Sequence, residues 1–242
     1  MTTQTATLGK NRTGIATSPK AAERMIEGTV EFPPNAEGDE RGIAEVRETF
    51  TKDVEPIGSV PPPVSLKGMM KTAVQGIAGA RPTQFVDKLG ERLAFERTGV
   101  RLYEAIISKY ASFGGYDGGP TLAELEEIMR EEHEHFRLLG DVITRIGGDP
   151  TVMTPSADLH ATMTRGVLEA AVDPRTNLVQ CLEAALVAEL SDNECWESLI
   201  EMAKESGEAP VVTAFEKALE EEAEHLENVR SWIAAAQNRK GE

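Results

Sequence analysis

Beyond residue 82 the chain runs through four long segments without internal proline, and in the middle of each the apolar stripe is interrupted by a glutamate. Leu89, Leu93, Val100 and Tyr103 recur at helical spacing around Glu96. Leu125, Ile128, Met129, Phe136 and Leu139 surround Glu132 in the same way. Leu182, Ala185, Leu186 and Trp196 flank Glu189, and Phe215, Ala218, Leu219, Leu226 and Val229 flank Glu222. Surface glutamates normally stand opposite an amphipathic helix's apolar stripe, so a chain with four of them on the stripe is constrained in how it can fold.

Turn chemistry sets the boundaries of these segments. The first covers about 83–113 and stops at Gly114-Gly115-Tyr116-Asp117-Gly118-Gly119. The second opens at Pro120-Thr121, with Glu124 placed to complete a capping box, and ends at Gly147-Gly148-Asp149-Pro150. The third covers about 175–206 before Gly207, and the fourth starts at Pro210 and fades after Gln237. Residues 151–174 form a longer connection with room for a short helix near 157–171. No segment alternates like a strand. Two short turns around one long connection predict an all-α, antiparallel four-helix bundle with a single crossover.

The glutamates agree in height as well as in face. Each lies about 11 to 14 residues into its segment, or ~20 Å along a helix rising 1.5 Å per residue. Antiparallel helices would bring all four carboxylates to one level inside an apolar bundle. Unpaired charges there would be prohibitive, and their pKa values would rise until most were protonated. Two divalent cations would cancel them, so a dinuclear metal site is expected. Two of the four histidines follow a core glutamate by one helical turn, His135 after Glu132 and His225 after Glu222. The halves also echo each other. Glu96 precedes Glu132 by 36 residues and Glu189 precedes Glu222 by 33, with Tyr103 and Trp196 each seven after the first glutamate.

The ordered set Glu96, Glu132-x-x-His135, Glu189, Glu222-x-x-His225 resembles the ferritin-like di-iron carboxylate proteins, especially the bacterioferritin and rubrerythrin branches. The likeness covers about 83–237. It implies a ferritin-like bundle holding two Fe ions, with Glu96 and Glu189 as terminal carboxylates, Glu132 and Glu222 bridging, and His135 and His225 each capping one metal. Tyr103 matches the family's tyrosine seven residues after the first ligand, which gives a hydrogen bond to the ligand shell. Asp192, one turn beyond Glu189, resembles the extra carboxylate of rubrerythrins. The chain lacks a rubredoxin-type cysteine set, since its two cysteines are Cys181 and Cys195.

Composition narrows the function. Of 242 residues, 25 are Lys or Arg and 41 Asp or Glu, for a formal net charge of −16. That surface repels phosphate backbones and favours cations, which argues against nucleic acid as a partner. No apolar run approaches the ~20 residues of a membrane span, and residues 1–20 carry no apolar signal core, so a cytoplasmic protein is expected. Residues 1–81, with Pro33-Pro34, Pro56 and Pro61-Pro62-Pro63, read as a largely irregular extension before a bundle at 82–242. Within the extension, 64–80 spaces Leu66, Met69, Met70, Val74 and Ile77 as a short helix packed on the main domain.

The expected function is a di-iron oxidoreductase that oxidises Fe2+ or reduces O2 or H2O2, drawing electrons from a separate donor or from Fe2+ itself, in a homo-oligomer of two or more copies. Manganese is the alternative metal, as in the manganese catalases. Iron storage and a non-catalytic helical module with a degenerate site remain the other classes. Plainer readings apply elsewhere. Glu183 competes with Glu189, which its mid-helix height favours. His133 reads as an exposed neighbour, His160 as a surface or capping residue, and Trp196 as a core aromatic. Cys181 and Cys195 are ~21 Å apart on one helix, too far to bridge, and read as small buried apolar residues. The run Glu220-Glu221-Glu222 reads as a solvated face with Glu222 the exception.

Overall fold

A computed structural model describes residues 19–33, 41–52, 54–62 and 82–238. The proposed helix at 64–80 lies outside the described residues. The chain divides into two compact units, Met1–Glu55 and Pro56–Glu242. The first contains α1 (Pro19–Glu31) and α2 (Arg41–Thr51), two amphipathic helices that the sequence reading did not single out. Met25, Ile26 and Val30 on α1 and Ile43, Val46 and Phe50 on α2 are exposed.

The second unit holds α3 (Pro82–Phe113), α4 (Leu122–Ile146), α5 (Pro155–Val172), α6 (Leu178–Glu205) and α7 (Ala209–Asn238). Thr121 caps α4 as the sequence predicts. Its hydroxyl accepts from the Glu124 amide at 3.2 Å, while the Glu124 carboxylate accepts from the Thr121 amide at 2.7 Å. Gly147 ends the helix in the left-handed conformation, φ 92°, which costs glycine no Cβ clash. A second capping box, Asn177 with Gln180, starts α6 three residues later than the periodicity suggests. α3 pairs with α4 and α6 with α7 as hairpins, and α3 also packs against α6.

The crossover carries a full helix. Thr154 caps α5, with Pro155 at the first turn, where its missing N–H costs nothing. α5 packs against both α3 and α6, and that is why His160 is buried, at 5% exposure, rather than on the surface. A Cβ on Gly90 would meet the Thr154 side chain, so glycine lets α3 approach the start of α5 closely. Ahead of α3, Gly58 adopts φ 107° beside the backbone of Thr154 and Pro155, and the Ser59 amide donates to the Met153 carbonyl at 3.0 Å.

The apolar core comes in two parts. One contains Leu102, Tyr103 and Ile106 of α3, Leu125 and Ile128 of α4, Leu178 to Ala188 of α6, and Val229, Trp232 and Ile233 of α7. The other contains Phe85, Leu89 and Leu93, then Leu139, Val142 and Ile143, then Trp196 to Ala203, then Val211, Phe215 and Ala218. On α4, α6 and α7 the switch between the parts falls at the glutamate, and on α3 just before it, between Leu93 and Phe95. A buried polar layer therefore separates two apolar halves.

Candidate metal centre

That layer contains Glu96, Glu132, His135, Glu189, Glu222 and His225, all buried to 2% exposure or less, together with Asp192 and Arg92 at 1%. Ligand-type atoms of Glu132, Glu189, Glu222 and His225 lie within 4.8 Å of one another. The same holds for Glu96, His135 and Glu222, and for Glu96, Glu132, Asp192 and Glu222. Glu222 recurs in all three groups, and Glu132 and Glu96 in two each. Glu96, Glu132, Glu189 and Glu222 come from four different helices. Glu183 is exposed and His133 is exposed, stacked 6.3 Å from Phe136.

The two imidazoles turn the same atom inward. His135 Nδ1 is 2.7 Å from one Glu222 oxygen and His225 Nδ1 is 3.2 Å from the other. Their Nε2 atoms point outward to carboxylates of the opposite hairpin, His135 to Glu221 at 3.0 Å and His225 to Glu131 at 2.9 Å. An outer carboxylate that accepts the Nε2–H leaves the Nδ1 lone pair facing inward, the orientation that metal-ligating histidines require. Glu221 is therefore not simply a solvated residue. It lies on the bundle's inner shoulder because the residue before a core position on a helix is rotated only partly away.

Tyr103 donates its hydroxyl hydrogen to Glu189 Oε1, across from α3 to α6. Asn193 ties the same region together, its Nδ2 donating to the carbonyls of Glu189 and Glu222 at 3.0 Å each. Arg92 ion-pairs with both Glu96 and Asp192, and its guanidinium lies 4.5 Å from the Phe95 ring centroid. Asp192 thus has a cation already beside it.

Electrostatics follow from burial. Burial pushes Glu132 well above its usual range, and the charges of Glu222, Glu96 and Glu189 push it further. Glu189 rises to about 8, first by burial and then by Glu222. For Glu222 burial is outweighed by the hydrogen bonds from His135 and His225, which lower it to about 2. Burial opposes charge on His135, but Glu222, Glu96 and Glu221 overcome this and raise it to about 9. Where no cation balances the carboxylates, protons do.

The donor set fits metal. Glu96 Oε2, Glu132 Oε2 and Glu189 Oε2 are buried with no hydrogen-bond partner among the described residues. A native interior seldom leaves three such acceptors unmet without a ligand for them. A Cβ on Gly99 would fall 2.6 Å from Glu132 Cδ, so that glycine keeps a cradle open for the carboxylate. Five buried carboxylates against the Arg92 guanidinium leave four formal negative charges, which two divalent cations cancel.

A family model described as a ferritin-like domain matches residues 86–238. The chain belongs to the ferritin-like family. Its buried, mutually close carboxylates and imidazoles fit the di-iron site expected of a ferritin-like domain. No curated protein and no solved structure matches the chain. Among the described residues no helix of this ferritin-like chain is long and apolar enough to cross a membrane.

Three participants escape sequence reasoning: Arg92, Glu131 and Glu221. The signal for the glutamates was present, since both halves carry Glu-Glu-x-Glu-His, at 131–135 and 221–225. The signal for Arg92 was a cation three residues after Leu89 on the apolar stripe, one turn before Glu96.

Proposed function

We propose that the chain is a di-iron carboxylate oxidoreductase that oxidises Fe2+ at the expense of O2 or H2O2. The observation that carries this reading is the convergence of three carboxylate oxygens without hydrogen-bond partners among the described residues and two inward imidazole nitrogens in a layer between two apolar cores. In this reading Glu96 with His135, and Glu189 with His225, would hold one iron each, with Glu132 and Glu222 as further ligands. Arg92, paired with Asp192 and Glu96, trims the charge of the layer, and Asp192 stands as the extra carboxylate.

Two ferrous ions bound there would supply two electrons, enough to take H2O2 with two protons to two waters. The protein's own residues do the rest. Oxygen-rich donors favour the higher charge of the oxidised metal. Glu131 and Glu221 hold the rings in register and accept the Nε2 protons. Tyr103 fixes the Glu189 carboxylate through its hydroxyl. The apolar halves exclude bulk water, so these charges act at low dielectric. The net acidic surface raises the local Fe2+ concentration.

Anaerobic Fe2+ titration of the stripped chain, followed by O2 or by H2O2 and watched in the near ultraviolet, tests the proposal. Saturation at about two irons per chain is expected, with one oxidant preferred. A Glu222→Gln variant should lose the coupled oxidation. Absence of saturable binding in the unaltered chain would overturn the reading. Repeating the titration with Mn2+ distinguishes the manganese alternative.

A further inference from the structure

Outside the carboxylate layer a second group of ligand-type side chains comes together from three helices: Glu91 of α3, His160 of α5 and Cys195 of α6. Their ligand-type atoms lie within 4.8 Å of one another. We propose that these three residues form a separate, mononuclear site for a zinc-class divalent cation.

The geometry is that of a site open on one side. Glu91 Oε1 lies 3.4 Å from His160 Nδ1 and 4.0 Å from Cys195 Sγ. The Lys88 ammonium pairs with the other oxygen, Oε2, and leaves Oε1 turned toward the histidine and the thiol. Glu91 is 6% exposed and His160 5%, whereas Cys195 is half-buried. Burial tends to raise the Glu91 carboxyl, but hydrogen bonds from His160 and Lys88 outweigh it and hold the group below its usual range, ionised at neutral pH. The chain thus keeps an ionised carboxylate nearly dry beside an imidazole and a thiol.

The imidazole is held by few polar contacts of its own. Its ring stands edge-on to Phe95, with centroids 4.8 Å apart, and its Nε2 is buried without a hydrogen-bond partner among the described residues. A histidine this buried normally has both ring nitrogens satisfied. Its Nδ1 makes only the 3.4 Å contact to Glu91 Oε1, and that nitrogen, not Nε2, is the one a cation bound in the group would take as its ligand. A cavity of about 290 Å³ is lined by Lys88, Glu91, Arg92, Cys195, Ser198 and Met202. It gives a cation a path in, and a water could fill a fourth coordination position. Three protein ligands of O, N and S type with one open place suit Zn2+ and its congeners. Binding involves no change of oxidation state. The Cys195 S–H bond breaks, its proton goes to solvent, and the thiolate becomes the ligand.

Sulfur is what separates this site from the dinuclear centre, whose donors are all oxygen and nitrogen. Titration of the stripped full-length chain with Co2+ reads it directly, because only a thiolate ligand adds an intense sulfur-to-cobalt charge-transfer band in the near ultraviolet. The expected result is that band together with one Co2+ more than the carboxylate layer takes up. Cys195→Ser should abolish both, with the remaining uptake unchanged. His160→Gln should weaken binding by about tenfold or more while Cys195 is kept. Glu222→Gln should leave the band in place, so failure of the dinuclear reading does not imitate failure here. No band in the unaltered chain overturns the proposal. So does a band that survives Cys195→Ser, which would assign it to Cys181, or one of full strength in a folded His160→Gln variant.

Discussion

Arg92 is a cation 1% exposed, carried by α3 into a layer of carboxylates. Burial works against its charge, but Glu96 and the surrounding acids hold it protonated. Replacing it with methionine would keep much of the packing against Phe95 yet leave Asp192 and Glu96 without their partner. Loss of one member of a buried pair typically costs ~3–5 kcal/mol, so chemical denaturation of Arg92→Met should show a drop of that order. Gly99→Ala tests the opposite kind of residue. Alanine gains ~1 kcal/mol of helix propensity over glycine, but its methyl group would overlap the Glu132 carboxylate. Iron uptake should fall below two per chain while helix content by circular dichroism is kept. At the edge of the site, Glu131→Gln and Glu221→Gln weaken the acceptors that orient His225 and His135. Each should reduce metal affinity by about 10–100-fold, measurable by competition with a chelator, and near-equal losses are expected because the two contacts are reciprocal between hairpins.

At the scale of elements, caps and phase decide where the helices begin and which side they bury. The Thr121–Glu124 box was legible in the sequence because both of its members are local, three residues apart. Thr121→Ala should cost about 1 kcal/mol of stability with iron stoichiometry unchanged, since the cap lies at the end of α4 and the proposed ligands Glu132 and His135 at its middle. Thermal melting alongside an iron titration checks both halves of that statement. α6 starts later than its periodicity suggests because 175–177 shares the polarity of a first turn. Only the Asn177 side chain, bonded to the Gln180 amide at 3.0 Å, shows where the helix begins. His160 is buried rather than on the surface for a similar reason. A short helix in a crossover has one buried side and one exposed side, and its sequence does not say which way it rolls until it meets α3 and α6.

For the whole molecule, the layered core makes fold stability and metal loading one problem. His135 is raised from 6.5 to about 9, so its contribution to the stability of stripped protein is complete below 6.5 and is lost as pH rises through about 9. Glu189, raised from 4.5 to about 8, acts with the same sign, because the buried acid prefers to stay protonated and charging it disfavours the fold. Glu222, lowered to about 2, acts at the other extreme, and its contribution is lost as pH falls from 4.5 toward that value. The melting temperature of chelator-stripped protein should therefore fall between pH 6.5 and about 9. Loaded protein should resist this fall, since metal replaces the protons and binds more tightly as they leave. An equal alkaline decline with and without metal would contradict that linkage.

The sequence alone determined the helices, their antiparallel order and the polar layer. Those features depend on repeats of three and four residues, on turn residues, and on the energetic impossibility of four bare carboxylates in an apolar seam. It also singled out Glu96, Glu132, His135, Glu189, Glu222 and His225, because each interrupts or follows the stripe within its own helix. Only the tertiary structure decided who answers whom across the bundle. Arg92 meets Asp192 over 100 residues of chain, His225 meets Glu131 over 94, and Tyr103 meets Glu189 over 86. The roll of α5 likewise placed His160 beside Glu91. Periodicity fixes the face a residue occupies on its own helix, whereas a contact between helices depends on their relative rotation and axial offset, which the packing of all five together sets.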